Sequence, residues 1–278
     1  MVYYAVFFAK MSTDGVSTMK YIDIHTHVFP EKIAAKAVQF LEEYYHHRWT
    51  GGGSPADLLA AMDSAGVSQA LIFSCATKVE QVVPANDFLH AVQSSFPERF
   101  IAFGTIHPDL KDIPGEIGRM KELGLKGIKI HPDFQKIYIN EPKMFRIYEA
   151  AGDLPLMIHM GDKKGDFSSP WRLAQILDKM PHLNVIAAHL GGYSEWDMAR
   201  KYLVGRDIFL DTSSSLWELP VEEARQLVLE HGTDKILFGS DYPAARPAEA
   251  VADVLKLGLS DADNEKIFHL NAERLLNL

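Results

Sequence analysis

Two histidines two residues apart, His25 and His27, close the run Ile22-Asp23-Ile24-His25-Thr26-His27. On an extended segment both side chains face the same way, so the pair can chelate one divalent ion through neutral imidazole nitrogens. His159 in Met157-Ile158-His159-Met160-Gly161 could add a third nitrogen, and Asp241 in Phe238-Gly239-Ser240-Asp241-Tyr242-Pro243 a hard oxygen. Three histidines and a carboxylate suit Zn2+ first, with Mn2+, Fe2+ or Co2+ as alternatives, and leave room for a water. A water on such an ion becomes a nucleophile near neutral pH. His189, in Ala188-His189-Leu190-Gly191-Gly192, ends another apolar run. One histidine at a strand end is ordinarily a core residue, but these five residues end four separate apolar runs and point to a shared site.

The elements that must position them recur along the chain. Short apolar or β-branched runs occupy residues 21–27, 69–76, 100–107, 125–131, 155–160, 184–190, 208–213 and 235–241. Most are near-continuous rather than alternating, as in parallel strands covered by helices. After a longer first unit their starts fall roughly 25–30 residues apart, the spacing of consecutive βα units. Eight such units predict a (β/α)8 TIM barrel in a single domain, with its active site at the C-terminal ends of the strands. A doubly wound sheet would want a Gly-rich turn after the first strand, and none follows residue 27. Ser54-Pro55 and Ser169-Pro170 predict helix starts, and Gly66, Gly124 and Gly152 predict helix stops. Met19 directly precedes the first strand, so residues 1–18 read as an extension dispensable for the chemistry and 19–278 as the barrel.

Composition narrows the function classes. Lys plus Arg is 28 against 37 for Asp plus Glu, a net charge of −9 without any basic block. That argues against a nucleic-acid or anionic-membrane partner. The longest apolar run, residues 2–9, is far short of the roughly 20 residues that span a bilayer. Cys75 is the single cysteine, which rules out an intramolecular disulfide and fits a reducing, cytoplasmic setting. Its expected role is a packed small apolar residue. The expected partner is a small-molecule substrate, and a homo-oligomer stays open.

Taken as an ordered set, these stretches resemble the amidohydrolase superfamily. The resemblance is to its amidohydrolase-related branch, which also holds aminocarboxymuconate-semialdehyde and resorcylate-type decarboxylases. Gly127-Ile128-Lys129-Ile130-His131-Pro132 and Leu210-Asp211-Thr212-Ser213 complete the match, from about residue 21 to 278. The resemblance implies that His25, His27, His159 and Asp241 hold the metal and that His189 is the neighbouring catalytic or second-metal histidine. Deoxyribonuclease-type members would have a Glu on strand four, which is missing here. Dihydroorotase-like members have a similar Lys-x-aromatic-Pro whose lysine is carboxylated and bridges two metals. The branch in question mostly uses one metal. The expectation is therefore a single ion, with Lys129 a free ammonium near a carboxylate. Lys129, His131 and His189 are the residues that would serve a second metal or the substrate.

The function expected first is a metal-dependent hydrolase. Metal-activated water would attack a small carboxylate-bearing lactone, amide or ester, with Asp241 as general base and His189 at the developing oxyanion. Arg246, with Lys163 and Lys164, motivates the carboxylate; Trp171, Tyr193 and Trp217 are further loop residues expected at the substrate, and His46 and His47 edge the pocket at best. The alternative is a non-oxidative decarboxylase of a small aromatic or unsaturated acid on the same site.

Overall fold

The short strands are buried on both faces, and their side chains sort into two concentric apolar layers. The strands are β1 (Ile22–His27), β2 (Gln69–Phe73), β3 (Phe100–Ala102), β4 (Gly104–Thr105), β5 (Ile128–Ile130), β6 (Leu156–Ile158), β7 (Val185–Ala187), β8 (Phe209–Asp211) and β9 (Ile236–Leu237). This is a computed structural model, and it describes residues 19–278; the extension expected at 1–18 lies outside the described residues. Leu71, Phe73, Phe103, Met157 and Ile186 fill the barrel interior, closed at one end by Ala272 and Leu276 of the C-terminal helix. A second, larger cluster packs the outward residues of the strands under the helices. Each fully buried Leu, Ile or Phe contributes about 1.5–3 kcal/mol relative to leaving it exposed.

Every strand pair is parallel, in the orders β1-β2-β3 and β4 through β9. β3 and β4 are two halves of one barrel strand interrupted at Phe103. The Phe103 N–H bonds Ile72 O at 3.1 Å on one side, and the Gly104 N–H bonds Gly127 O at 2.9 Å on the other. The seam between β1 and the segment after β9 is stitched by Ile24 N–H to Phe238 O (2.9 Å), Asp241 N–H to His25 O (2.9 Å) and His27 N–H to Tyr242 O (2.7 Å). With β3 and β4 counted as one, this is the eight-stranded barrel read from the sequence. The run 184–190 pairs as a strand only to Ala187 and stays extended through Ala188, because His189–Gly191 forms a tight helical turn in which His189 and Leu190 take φ of 61° and 50°.

Helix punctuation behaves mostly as expected. Of the first three helices, α1 (Glu31–Tyr45), α2 (Pro55–Ala65) and α3 (Val82–Ser95), α2 starts with the Ser54 hydroxyl accepting the Asp57 N–H and stops at Gly66, φ 69°. Ser169 differs: it makes no capping bond to its own helix, and its hydroxyl donates to Glu195 Oε2 at 2.6 Å. Among the described residues no helix is long and apolar enough to cross a membrane.

Candidate metal centre and its cavity

A slip in β1 aims the first two histidines. Ile22 and Ile24 both belong to the interior cluster, so simple alternation would send His25 outward. The register shifts between Asp23 and Thr26, and the Asp23 carboxylate accepts the His25 N–H at 3.1 Å and the Ser240 N–H at 3.0 Å. Such an irregularity re-aims a side chain. His25 and His27 then both face Asp241, whose Oδ1 lies 3.2 Å from His25 Nε2 and 3.4 Å from His27 Nε2. Gly239 allows the close approach of the last strand, since a Cβ there would stand 2.7 Å from His25 Cβ. Asp241 itself sits at φ 62°, held by its N–H to His25 O and by Ala244 N–H to its own carbonyl.

The hydrogen-bond pattern assigns the tautomers. His25 Nδ1 lies 2.9 Å from Asp211 Oδ2, so it carries the proton and leaves the Nε2 lone pair toward Asp241. His189 Nδ1 faces Ser213 O at 3.1 Å and donates to it, which makes His189 Nε2 an acceptor. His159 Nδ1, 2.9 Å away, must then be the donor of that pair. Its other nitrogen, His159 Nε2, is buried without a hydrogen-bond partner. His25 Nε2 and His159 Nε2 are thus left as unprotonated ring nitrogens, the first beside Asp241 Oδ1 and the Lys129 amine.

This arrangement fits a divalent ion. Ligand atoms around a tetrahedral ion with bonds of about 2.0–2.2 Å stand about 3.3–3.6 Å apart, close to the Asp241–His25 and Asp241–His27 spacings. The anchoring of His25 by Asp211 is the carboxylate–histidine support that ligating rings ordinarily have. Burial lowers His27 and His189 to about 4 and His159 well below its ordinary value, keeping these rings neutral. Burial works to raise both carboxylates, yet the adjacent His25 holds Asp211 down to about 2 and, with His27, Asp241 well below the usual range. His25, His189 and Asp241 also place one ligand atom each within 4.8 Å of one another.

His131, Asp133 and His159 form a second compact group by the same measure. Here the rings of His131 and His159 stack at 3.9 Å and 14°, with Phe134 stacked on the far side of His131 at 3.9 Å and 17°. Nearly parallel rings direct their in-plane lone pairs along separate planes, so both cannot meet one ion. The stack instead fixes the ring plane of His159. Lys129 is fully buried, 3.2 Å from His25 Nε2 and 4.7 Å from the Phe73 ring centroid; burial lowers its pKa while the charges of the nearby Asp211 and Asp241 work to raise it, the carboxylate neighbourhood expected for it.

A cavity of 510 Å³ opens beside these groups; His27, His131, His159, His189, Asp241 and Ser214 contribute its polar wall. Tyr193 and Trp217 line it as expected and His47 edges it, whereas Cys75, expected as a packed small apolar residue, also faces it. Arg246 and Trp171 do not. Arg246 is spent on Thr50 O (3.0 Å) and Asp57 (3.6 Å), and Trp171 lies under the Arg172 guanidinium at 4.2 Å. Lys163 pairs with Glu218 at 2.9 Å and Lys164 with Tyr44 O, so neither supports the carboxylate-bearing substrate they motivated.

Sequence reasoning missed Asp211, Ser214 and Tyr45. The Ser214 hydroxyl donates to Asp241 Oδ2, and Tyr45 OH lies 3.3 Å from His131 Nε2. Asp211 had a signal, a carboxylate ending an apolar run beside Ser213, whereas Tyr45 reaches the site from the end of α1 and had none.

Comparison with known proteins gives the chain a family and a fold. A family model described as Amidohydrolase matches residues 22–278. A gamma-resorcylate decarboxylase from Polaromonas sp. is 26% identical over 248 residues, covering 70% of this chain and 75% of the relative. An uncharacterised TIM-barrel protein from Bordetella bronchiseptica superposes with a TM-score of 0.74 at 19% identity, covering 93% and 98% of the two chains. A dihydroxybenzoic acid decarboxylase from Polaromonas sp., solved with manganese and 2-nitroresorcinol, gives 0.71 at 20% identity, covering 94% and 98%. The structural likenesses establish the barrel.

Proposed function

The chain belongs to the amidohydrolase family, and from that membership we propose that it is a metal-dependent, non-oxidative decarboxylase of hydroxylated aromatic carboxylates. The observation that carries this reading is the meeting of the His25, His27 and Asp241 cluster with an aromatic-walled cavity, to which Tyr45, Phe134 and Tyr193 contribute. The decarboxylase names of the curated relative and the manganese-containing neighbour favour it over the lactone, amide or ester hydrolysis expected first. The same neighbour makes Mn2+, rather than Zn2+, the first ion to test.

His25, His27 and His159 through Nε2, and Asp241 through Oδ1, are the residues that would hold one divalent ion. A bound ion would supply positive charge that favours the substrate's negatively charged oxygens. Asp241 is ionised at neutral pH, so it first takes a proton, from the substrate hydroxyl or from water, at Oδ2. It then delivers that proton to the ring carbon bearing the carboxylate. That protonation forms the C–H bond from a ring π pair; the carbon–carboxyl bond then breaks, its electron pair restores the aromatic ring, carbon dioxide leaves, and the oxygen that gave up the proton regains one from water. Ser214 steadies Oδ2 through its hydroxyl. His189 acts as a positioning residue, fixing the His159 tautomer through the Ser213 carbonyl.

The test is product analysis of manganese-loaded protein with a panel of hydroxybenzoates, lactones and aryl esters. Carbon dioxide release from the acids, abolished by chelation, is expected. Hydrolysis of the lactones or esters without carbon dioxide release would overturn the reading.

A further inference from the structure

The cavity is larger and more apolar than one hydroxylated ring requires. It measures 510 Å³, whereas about 150 Å³ holds a benzene ring. Part of its wall comes from α1 and α3, through Ile33, Ala37, Phe40, Leu41, Ala85 and Phe88. Ile33 and Phe40 remain 49% and 57% exposed, an apolar surface contiguous with a cavity rather than scattered over the molecule. Among the described residues no Lys or Arg lines the cavity, and beyond the metal cluster its acidic groups are Glu80 and Glu218. A second anionic group on a ligand would meet Glu80 or Glu218, and the nearby Lys163 is already paired with Glu218.

We propose that the substrate is an aromatic hydroxy acid whose ring bears an uncharged apolar substituent, an alkyl chain or a second ring, seated against the α1–α3 wall. The reacting head group rests on the decarboxylase reading; the substituent rests on the wall alone. One polar pole fixes the carboxylate-bearing ring at the metal ligands. The apolar wall then supplies affinity in proportion to the methylenes it removes from water.

Calorimetric binding to the manganese-loaded full chain tests this without relying on turnover. The probes are resorcinol, 5-pentylresorcinol and a resorcinol with a carboxylate at the end of the same chain. The pentyl compound should bind about 100-fold more tightly than resorcinol, a discounted return on the five carbons of the chain, and the charged chain should lose most of that gain. Ala37→Phe and Ala85→Phe, which fill the wall from partly exposed helix faces, should collapse the pentyl-to-resorcinol ratio toward one. Equal affinities for resorcinol and 5-pentylresorcinol in the folded wild-type protein would overturn the proposal. So would a ratio that survives both substitutions. If the pentyl preference holds while no hydroxybenzoate, alkylated or not, releases carbon dioxide, the decarboxylase reading falls and the apolar subsite stands.

Discussion

His25 turns Nδ1 to the Asp211 carboxylate at 2.9 Å, and this contact points its other nitrogen at Asp241. Asp211 also accepts the backbone N–H groups of His189 and Ser213, at 3.1 and 3.0 Å, so one carboxylate orients two strand ends. Asp211→Asn should keep the fold and weaken manganese binding about 10–100-fold. Competition with a chelator measures this, and an unchanged affinity would remove Asp211 as the orienting group.

Asp241 serves as both ligand and proton carrier in the proposed reaction. Asp241→Asn should lower kcat by about 10²–10⁴-fold, with circular dichroism unchanged. Near-normal kcat in folded, metal-loaded protein would show that another group moves the proton.

Lys129 tests how many ions bind. Its amine faces His25 and Phe73 in full burial, so Lys129→Met preserves volume while deleting the charge. The expected result is one manganese per chain in both wild type and variant, with reduced activity in the variant because the local field changes. Elemental analysis giving two ions in wild type and one in Lys129→Met would identify the lysine as a bridging ligand.

The strand-end chemistry was legible because alternation and strand termini are local properties. His25, His27, His159, His189 and Asp241 were all identifiable from where apolar runs stop, although the β1 slip that turns His25 inward was not. Arg246 and Trp171 were misplaced because proximity to a strand end does not give side-chain direction. Arg246 closes the start of its own helix, its backbone N–H donating to Glu249 Oε2 at 2.8 Å. The apolar wall was illegible for a related reason: α1 and α3 reach the cavity through the tertiary path of the loops, and their residues look like ordinary amphipathic helix faces.

Asp57 ties the loop before α2 to the barrel seam, accepting from Tyr242 OH at 2.6 Å and Gly52 N–H at 2.8 Å. Burial works to raise its pKa, but these bonds and Arg246 outweigh it and the net shift is downward. A depressed carboxylate stabilises the fold fully above its unfolded value of about 3.9 and loses that contribution as pH falls through the folded value. Asp57→Asn should therefore lower Tm at pH 7, and the gap from wild type should shrink below about pH 4. A gap that persists unchanged at pH 3 would assign the effect to lost packing.

Decarboxylation with protonation at the vacated carbon is most directly read in deuterium oxide. Manganese-loaded protein given 2,6-dihydroxybenzoate and its 4-alkyl derivatives should release one carbon dioxide per turnover. The product should carry a single deuterium at the carbon that bore the carboxylate, and chelation should abolish both signals. Intact acids after prolonged incubation, alongside metal-dependent hydrolysis of lactones or esters, would contradict the proposed reaction.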